Sequence, residues 1–549
     1  MKAHIVDIPH RRIFDAEIIV RNGKIARLAP LSDPLPDEAP YAMPGFVDSH
    51  IHIESTLLTP EHFAQFAVRQ GTVAVVSDPH EIANVLGVEG IDFMIENARR
   101  VRFHFHFGAP SGVPSTTFET SGAILDAAKV DQLLQRDDIY GLAEVMNVPG
   151  VLTHDPDMIG KLEAARRVGK PIDGHAPGIT GDQIRQYIAQ GITTDHECTN
   201  LEEARERISL GMKVLIREGS AACDFDHLCP LLGESDDMVM FCTDDKYADE
   251  LRQGHINDLV RRAIAKGLPL WNVLRAACIT PVEHYRLDHG LLREGDSADF
   301  IVVDNLNEFN ILHTFIEGCE VFNRKQGVLS AVYVDNPVAV GPLPNNFHAH
   351  EITPQDIAVT MPRPDAKLKV IEAHEGSLYT HCRIVTPRVV NNQVIPDTDN
   401  DVLKLVEIDR YQQCPPQVAF IHGFGLQRGA IASTIAHDCH NIIALGCNDQ
   451  DIVHAINRLV ATQGGLCVCD NGQCTELSLP VAGLMSNEPP HEVARLHLML
   501  KAQTATQGCT IAAPFMTLAF MALPVIPELK LTDQGLFDGV KFMFTDLFE

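Results

Sequence analysis

The chain has 549 residues, with 44 Lys and Arg against 73 Asp and Glu, and a formal net charge of −29. So acidic a balance disfavours nucleic acid and anionic membrane surfaces as partners, because both are bound through basic patches. Hydrophobic residues make up 45% and charged residues 21%, as in a soluble globular protein, and the length implies on the order of two to four domains.

The first twenty residues, MKAHIVDIPHRRIFDAEIIV, lack the basic start, apolar run and small-residue cleavage site of a signal peptide, so a cytoplasmic protein is expected. Residues 15–29 read as two short strands around Asn22-Gly23, a hairpin signal. A Pro-rich linker follows, and then a long alternation of apolar runs and amphipathic segments. The runs are GFVDSH (45–50), TVAVVSDPH (72–80), VRFHFHFGAPS (101–111), IYGLAEVMN (139–147), PIDGHAPG (171–178), GITTDHEC (191–198), MKVLIREGS (212–220) and MVMFCTDD (238–245). Segments such as TPEHFAQFAVRQ, MIGKLEAARRVGK and NLEEARERISL separate them, and HINDLVRRAIAKG and LPLWNVLRAACIT close the series. Eight strands alternating with helices over about 250 residues are the signature of a (β/α)8 barrel.

Strand character returns in GLLREGDSADFIVVDN and ILHTFIEGCEVF, which are expected to join the N-terminal hairpin in a small β-domain built from both flanks. The expected division is residues 1–44 plus 297–345 for that domain, 45–296 for the barrel, and 346–549 for a further α/β or α+β domain. The apolar stretch 511–526 is too short to span a bilayer and contains Pro514 and Pro524, so it reads as core or as a domain contact. The 14 cysteines show no paired framework and read as free thiols, including Cys467, Cys469 and Cys474, whose spacing lacks a CxxC step.

Barrel enzymes carry their chemistry at the C-terminal ends of the strands. There the first strand offers His50 and His52, the fourth Glu144, the fifth His175, the sixth His196 and the eighth Asp244 with Asp245. Four imidazoles and the carboxylates of Glu144 and Asp244 suit two transition-metal ions, and residues two apart on a strand share a face. Two metals lower the pKa of a bridging water, and Asp244 is placed to bind one ion and accept the proton of that water. His104 and His106 have the same spacing as His50 and His52 but stand inside their run, where simple strand alternation explains them.

The run PGFVDSHIHIE, the single histidines after strands five and six, and the aspartate after strand eight resemble the amidohydrolase superfamily. Longer stretches resemble its bacterial adenine deaminases: SHIHIESTLLTPEHF, SDPHEIANVLGVEGI, GLAEVMNVPGV, DGHAPGITG, REGSAA, FCTDDKYADELRQGHINDLVR, IHGFGLQRGAIASTIAHDCHNIIALGCND and KLTDQGLFD. The resemblance spans nearly the whole chain. It implies a barrel with a small flanking β-sandwich and a C-terminal adenine-deaminase-type domain. It further implies hydrolysis of adenine to hypoxanthine and ammonia in purine salvage, by a metal-activated bridging hydroxide. Two divalent ions, manganese or iron, are implied: His50 and His52 on one, His175 and His196 on the other, Glu144 between them and Asp244 on the first. A homo-oligomer, a homodimer in the first instance, is expected. Alternative readings are a binuclear amidohydrolase acting on a cyclic amide or an N-acetyl amino sugar, and a non-catalytic barrel scaffold.

Further residues at the strand ends are candidates for the substrate and for support of the ligands. Glu197, next to His196, reads as a catalytic acid, a purine contact or a solvated loop acid. Arg217, Glu218 and Ser220 after strand seven read as holding the purine edge or as capping the strand. His80 and Glu81 after strand two read as site residues. Glu54 is a candidate to orient a ligand histidine, and His255 to support the site or cap the helix that follows. His437, Asp438 and His440 in AHDCH read as a structural polar turn, with a third metal or a place at the mouth as alternatives.

Overall fold

A computed structural model describes residues 1–335 and 341–549. All eight expected barrel runs form strands. Preceding them, β1 (Lys2–Asp7), β2 (Arg12–Arg21), β3 (Lys24–Pro30) and β4 (Tyr41–Pro44) belong to the N-terminal flank. The barrel strands are β5 (Phe46–Ile51), β6 (Thr72–Ser77), β7 (His104–Ala109), β8 (Ile139–Val145), β9 (Ile172–Gly174), β10 (Thr194–Asp195), β11 (Lys213–Arg217) and β12 (Val239–Cys242). They pair in parallel as a five-stranded and a three-stranded sheet, and every residue of β5 and β6 is buried. The ring closes where the Asp244 N–H donates to the His50 carbonyl at 3.0 Å and the His52 N–H to the Asp244 carbonyl at 3.3 Å. First and last strands are therefore stapled at the residues that carry candidate ligands.

The helices follow from apolar periodicity and caps. Ile256–Ala265 buries Ile256, Leu259, Val260 and Ala263, one face at helical spacing. Pro156–Val168 starts on Asp155, whose side chain accepts from the Met158 N–H, and stops at Gly169 with φ 70°.

The two flanks share one eight-stranded sheet. To β1–β4 it adds β13 (Phe300–Val303), β14 (Ile311–Ile316), β15 (Cys319–Asn323) and β16 (Gly327–Val328). Its Asn22-Gly23 turn has φ of 51° and 75°, the pair of positive values that a two-residue hairpin of this twist needs. The end of this flank includes residues 336–340, which lie outside the described residues.

The C-terminal region is α+β. A second eight-stranded sheet, mainly antiparallel, packs against the helices Asp449–Thr462 and Pro490–Thr506. The stretch expected as core or contact forms the helix Pro514–Ala519 and a following turn, buried throughout 513–523. The expectation of free thiols needs one correction. Cys469 and Cys474 face each other across the hairpin of Gly465–Asp470 and Gln473–Ser478 and are joined as a disulfide, while the other twelve cysteines are free. Their separation of five residues across a tight turn brings the two Cα atoms to 4.1 Å.

Candidate metal centre

The six candidate ligands converge at the C-terminal rim of the barrel, and all are buried. Glu144 lies at the centre. Its Oε1 is 3.8 Å from His50 Nε2 and 3.2 Å from His52 Nε2, while its Oε2 is 2.9 Å from His175 Nδ1 and 3.2 Å from His196 Nε2. Each carboxylate oxygen thus faces one histidine pair. Asp244 Oδ1 is 3.6 Å from His50 Nε2 and 3.1 Å from His52 Nε2. The His52 Nδ1 lies 3.0 Å from the Asp78 carbonyl, which can only accept, so Nδ1 carries the proton and Nε2 turns its lone pair to the carboxylates.

Burial alone would raise the carboxyls of Glu144 and Asp244, but the imidazoles outweigh it. His175, His196 and His52 hold Glu144, and His50 and His52 hold Asp244, well below the usual carboxylate range. The buried Nε2 atoms of His50 and His175 make no hydrogen bond. A buried set of four imidazoles and two carboxylates converging on one rim, with His50 Nε2 left without a hydrogen bond, fits divalent cations. Subsets with donor atoms within 4.8 Å of one another include His50, His52 and Glu144; Glu144, His175 and His196; and His50, His196 and Asp244.

Arg217 sits behind this cluster. It donates from Nη1 to Asp244 Oδ2 and from Nε to Asp224 Oδ2, both at 3.0 Å, and it pairs through Nη1 and Nη2 with Glu197. Glu197 Oε1 in turn lies 3.6 Å from His175 Nδ1 and 3.5 Å from His196 Nε2.

A cavity lies over the cluster, with about 290 Å³ of space between atoms when open solvent at its mouth is included. Its polar wall includes His52, Glu144, His196, Glu197 and Asp244, and its apolar wall is Met146, Leu378, Phe520, Leu523 and Ile526. His80 and Glu81, expected as site residues, line it.

Three expected purine contacts do not line this cavity. Arg217 spends its donors on Glu197, Asp224 and Asp244, so it positions carboxylates. Glu218 is drawn away by Arg262, and Ser220 donates to Glu250 Oε2 at 2.6 Å and accepts from the Tyr247 N–H at 3.0 Å. Of the two supporting residues, Glu54 bonds away from the ligand histidines and His255 supports the site through Asp48. Glu54 accepts the Ile82 N–H at 3.2 Å, with burial pushing its carboxyl up to about 7, so it braces the turn after β6 and leaves the orienting of His52 to Asp78. His255 bridges Thr72 Oγ1 at 2.7 Å and Asp48 Oδ2 at 2.8 Å; Asp48 also accepts the Thr243 N–H at 3.1 Å, so His255 braces the backbone beside Asp244.

The turn at 437–440 reaches the cavity. His437 and Asp438 line the cavity, and His437 Nδ1 lies 2.8 Å from Glu81 Oε1. The hydrophobic 520–526 stretch was read only as core or contact, and nothing in its composition points to a reaction site.

A model of the amidohydrolase family, which is metal-dependent, matches residues 41–321, and one of the adenine deaminase C-terminal domain matches residues 377–543. Curated adenine deaminases from Methanosarcina mazei and Salinibacter ruber are 49% and 48% identical, each over 99% of this chain and 98% of the relative. One from a Sulfurovum species is 47% identical over 100% of this chain and 99% of its own. The relatives are archaeal as well as bacterial, which widens the bacterial resemblance. With both matched regions in one chain and relatives aligned nearly end to end, the protein belongs to the adenine deaminase family of amidohydrolases.

Proposed function

We propose that the protein hydrolyses adenine to hypoxanthine and ammonia, a purine-salvage reaction. The observation that carries this reading is Glu144, whose two oxygens face the His50–His52 pair and the His175–His196 pair, in a chain aligned almost end to end with adenine deaminases. His50 and His52 would hold one cation, His175 and His196 the other, Glu144 both and Asp244 the first. The all-N,O donor set favours manganese or iron. When bound, such a pair lowers the pKa of a water and so supplies a nucleophile at neutral pH.

The chain's own groups do the rest. Asp244, an ionised carboxylate with Oδ2 held by Arg217, keeps Oδ1 free to accept the proton of the attacking water and to pass it toward the ring or the departing amine. Glu197 is fixed beside His175 and His196, where it can shuttle a proton near the leaving group. Met146, Leu378, Phe520, Leu523 and Ile526 pack a flat heterocycle and exclude water, with His80 and Glu81 at its border. Domain limits at 44/45, 296/297 and 345/346, a homodimer and a cytoplasmic location complete the reading; the acidic charge and the free thiols support the last.

Purified, manganese-loaded protein offered adenine, cytosine, dihydroorotate and N-acetyl amino sugars is expected to release ammonia from adenine. Preferential opening of a cyclic amide or release of acetate would replace this reading.

A further inference from the structure

A second donor cluster stands on the far side of the cavity, where the barrel meets the C-terminal domain. His80 and Glu81 begin α2 (His80–Leu86), following α1 (Pro60–Ala67); His437 and Asp438 come from a turn more than 350 residues later. We propose that His80, Glu81, His437 and Asp438 form a further cation site, for a divalent transition-metal ion such as manganese or zinc, that ties the C-terminal domain to the barrel rim.

Four separations carry the geometry. His437 Nδ1 is 2.8 Å from Glu81 Oε1 and 3.8 Å from Asp438 Oδ1, while His80 Nε2 is 3.4 Å from Glu81 Oε1 and 3.6 Å from Asp438 Oδ1. Metal–nitrogen and metal–oxygen bonds of about 2.0–2.2 Å place neighbouring donors about 3–3.5 Å apart, and the four separations here, 2.8–3.8 Å, bracket that range. His80 is also oriented as a ligand. Its Nδ1 edge faces Asp78 Oδ2 at 3.2 Å and Glu144 Oε1 at 3.4 Å, which turns Nε2 toward Glu81 and Asp438. His440 Nε2 pairs with Glu81 Oε2 and steadies the other side of that carboxylate.

A polar turn that only joined two domains would satisfy its own groups. Here Nδ1 and Nε2 of His80, Nε2 of His437 and Oδ2 of Asp438 are buried and make no hydrogen bond, and His80, His437 and Asp438 are each 2% exposed. Of the four facing donor atoms, His80 Nε2 is buried without a hydrogen bond and aimed at Glu81 and Asp438, a position that is costly without a cation. Two imidazoles and two carboxylates favour a transition metal over calcium or magnesium.

Metal content of protein from manganese-supplemented growth tests this. About three ions per chain are expected in the wild type and about two in Asp438→Asn and in His437→Ala. Anomalous diffraction from wild-type crystals at the metal edge, which needs no variant to fold, is expected to show a peak among His80, Glu81, His437 and Asp438. Two ions per chain in the wild type, or purine density in place of that peak, would overturn the third site and leave the Glu144 pair standing. Absence of any bound ion would bring down the proposed function as well.

Discussion

At Asp244 the backbone takes φ 55°, a left-handed value that an aspartate adopts at a cost, and backbone bonds to His50 in β5 and to His52 just after it hold it there. That constraint aims Oδ1 at His50 and His52 while Arg217 holds Oδ2. Asp244→Asn is expected to lower kcat for adenine by about 10³-fold, the range for loss of a general base, in an enzyme that still unfolds like the wild type. A kcat within a few-fold of wild type would remove its proton role. Arg217→Met would strand three buried carboxylates, Glu197, Asp224 and Asp244, so a loss of about 3–5 kcal/mol in denaturant unfolding is expected. A loss below about 1 kcal/mol would mean that these carboxylates are neutralised by something other than Arg217. The candidate ligands were legible in sequence because each follows an apolar run. The direction of Glu218 and Ser220 was not, since it depends on Arg262 and Glu250 in neighbouring segments.

For whole elements, strand existence was legible and strand length was not. TTDHEC promised a full strand, yet β10 is the two residues Thr194–Asp195, because the chain must turn at once to present His196 and Glu197. His104 and His106 lie within β7, as alternation implied. The 514–526 segment is positioned by Lys530, a buried lysine whose Nζ donates to the carbonyls of Leu378 and Phe520, each at 2.9 Å. Burial pulls its ammonium down to about 7, against an ordinary value of about 10.4. Between those values the unfolded chain binds the extra proton, so native stability rises with pH there and no further change comes from Lys530 below about 7. Relative to Lys530→Met, the wild type is expected to gain stability by up to about 1.4 kcal/mol per pH unit between roughly pH 7 and 10. A pH-independent difference in unfolding free energy would show that the native lysine is charged throughout.

Across the molecule, the C-terminal region is part of the site. Asn441 Nδ2 donates to the Thr120 carbonyl at 3.1 Å, the Thr120 N–H to Asp533 Oδ1 at 2.8 Å, and His497 Nδ1 lies 2.7 Å from Asp249 Oδ1. One apolar core runs from Phe46 and Val75 in the barrel to Phe515 and Leu523 at the mouth. A chain ending at residue 345 would expose that core and lose His437, Asp438 and the apolar wall. It is expected to aggregate or to lack adenine turnover, and a soluble, fully active truncation would show the cap to be dispensable. Contacts spanning hundreds of residues leave no local pattern, which is why sequence alone read AHDCH as a polar turn. Among the described residues no helix is long and apolar enough to cross a membrane. The most direct test follows adenine with metal-stripped protein before and after manganese reloading, quantifying hypoxanthine and ammonia together. Equal amounts of the two products after reloading and none before are expected, with both lost in Glu144→Gln; adenine left intact by the fully reloaded protein would refute the assignment.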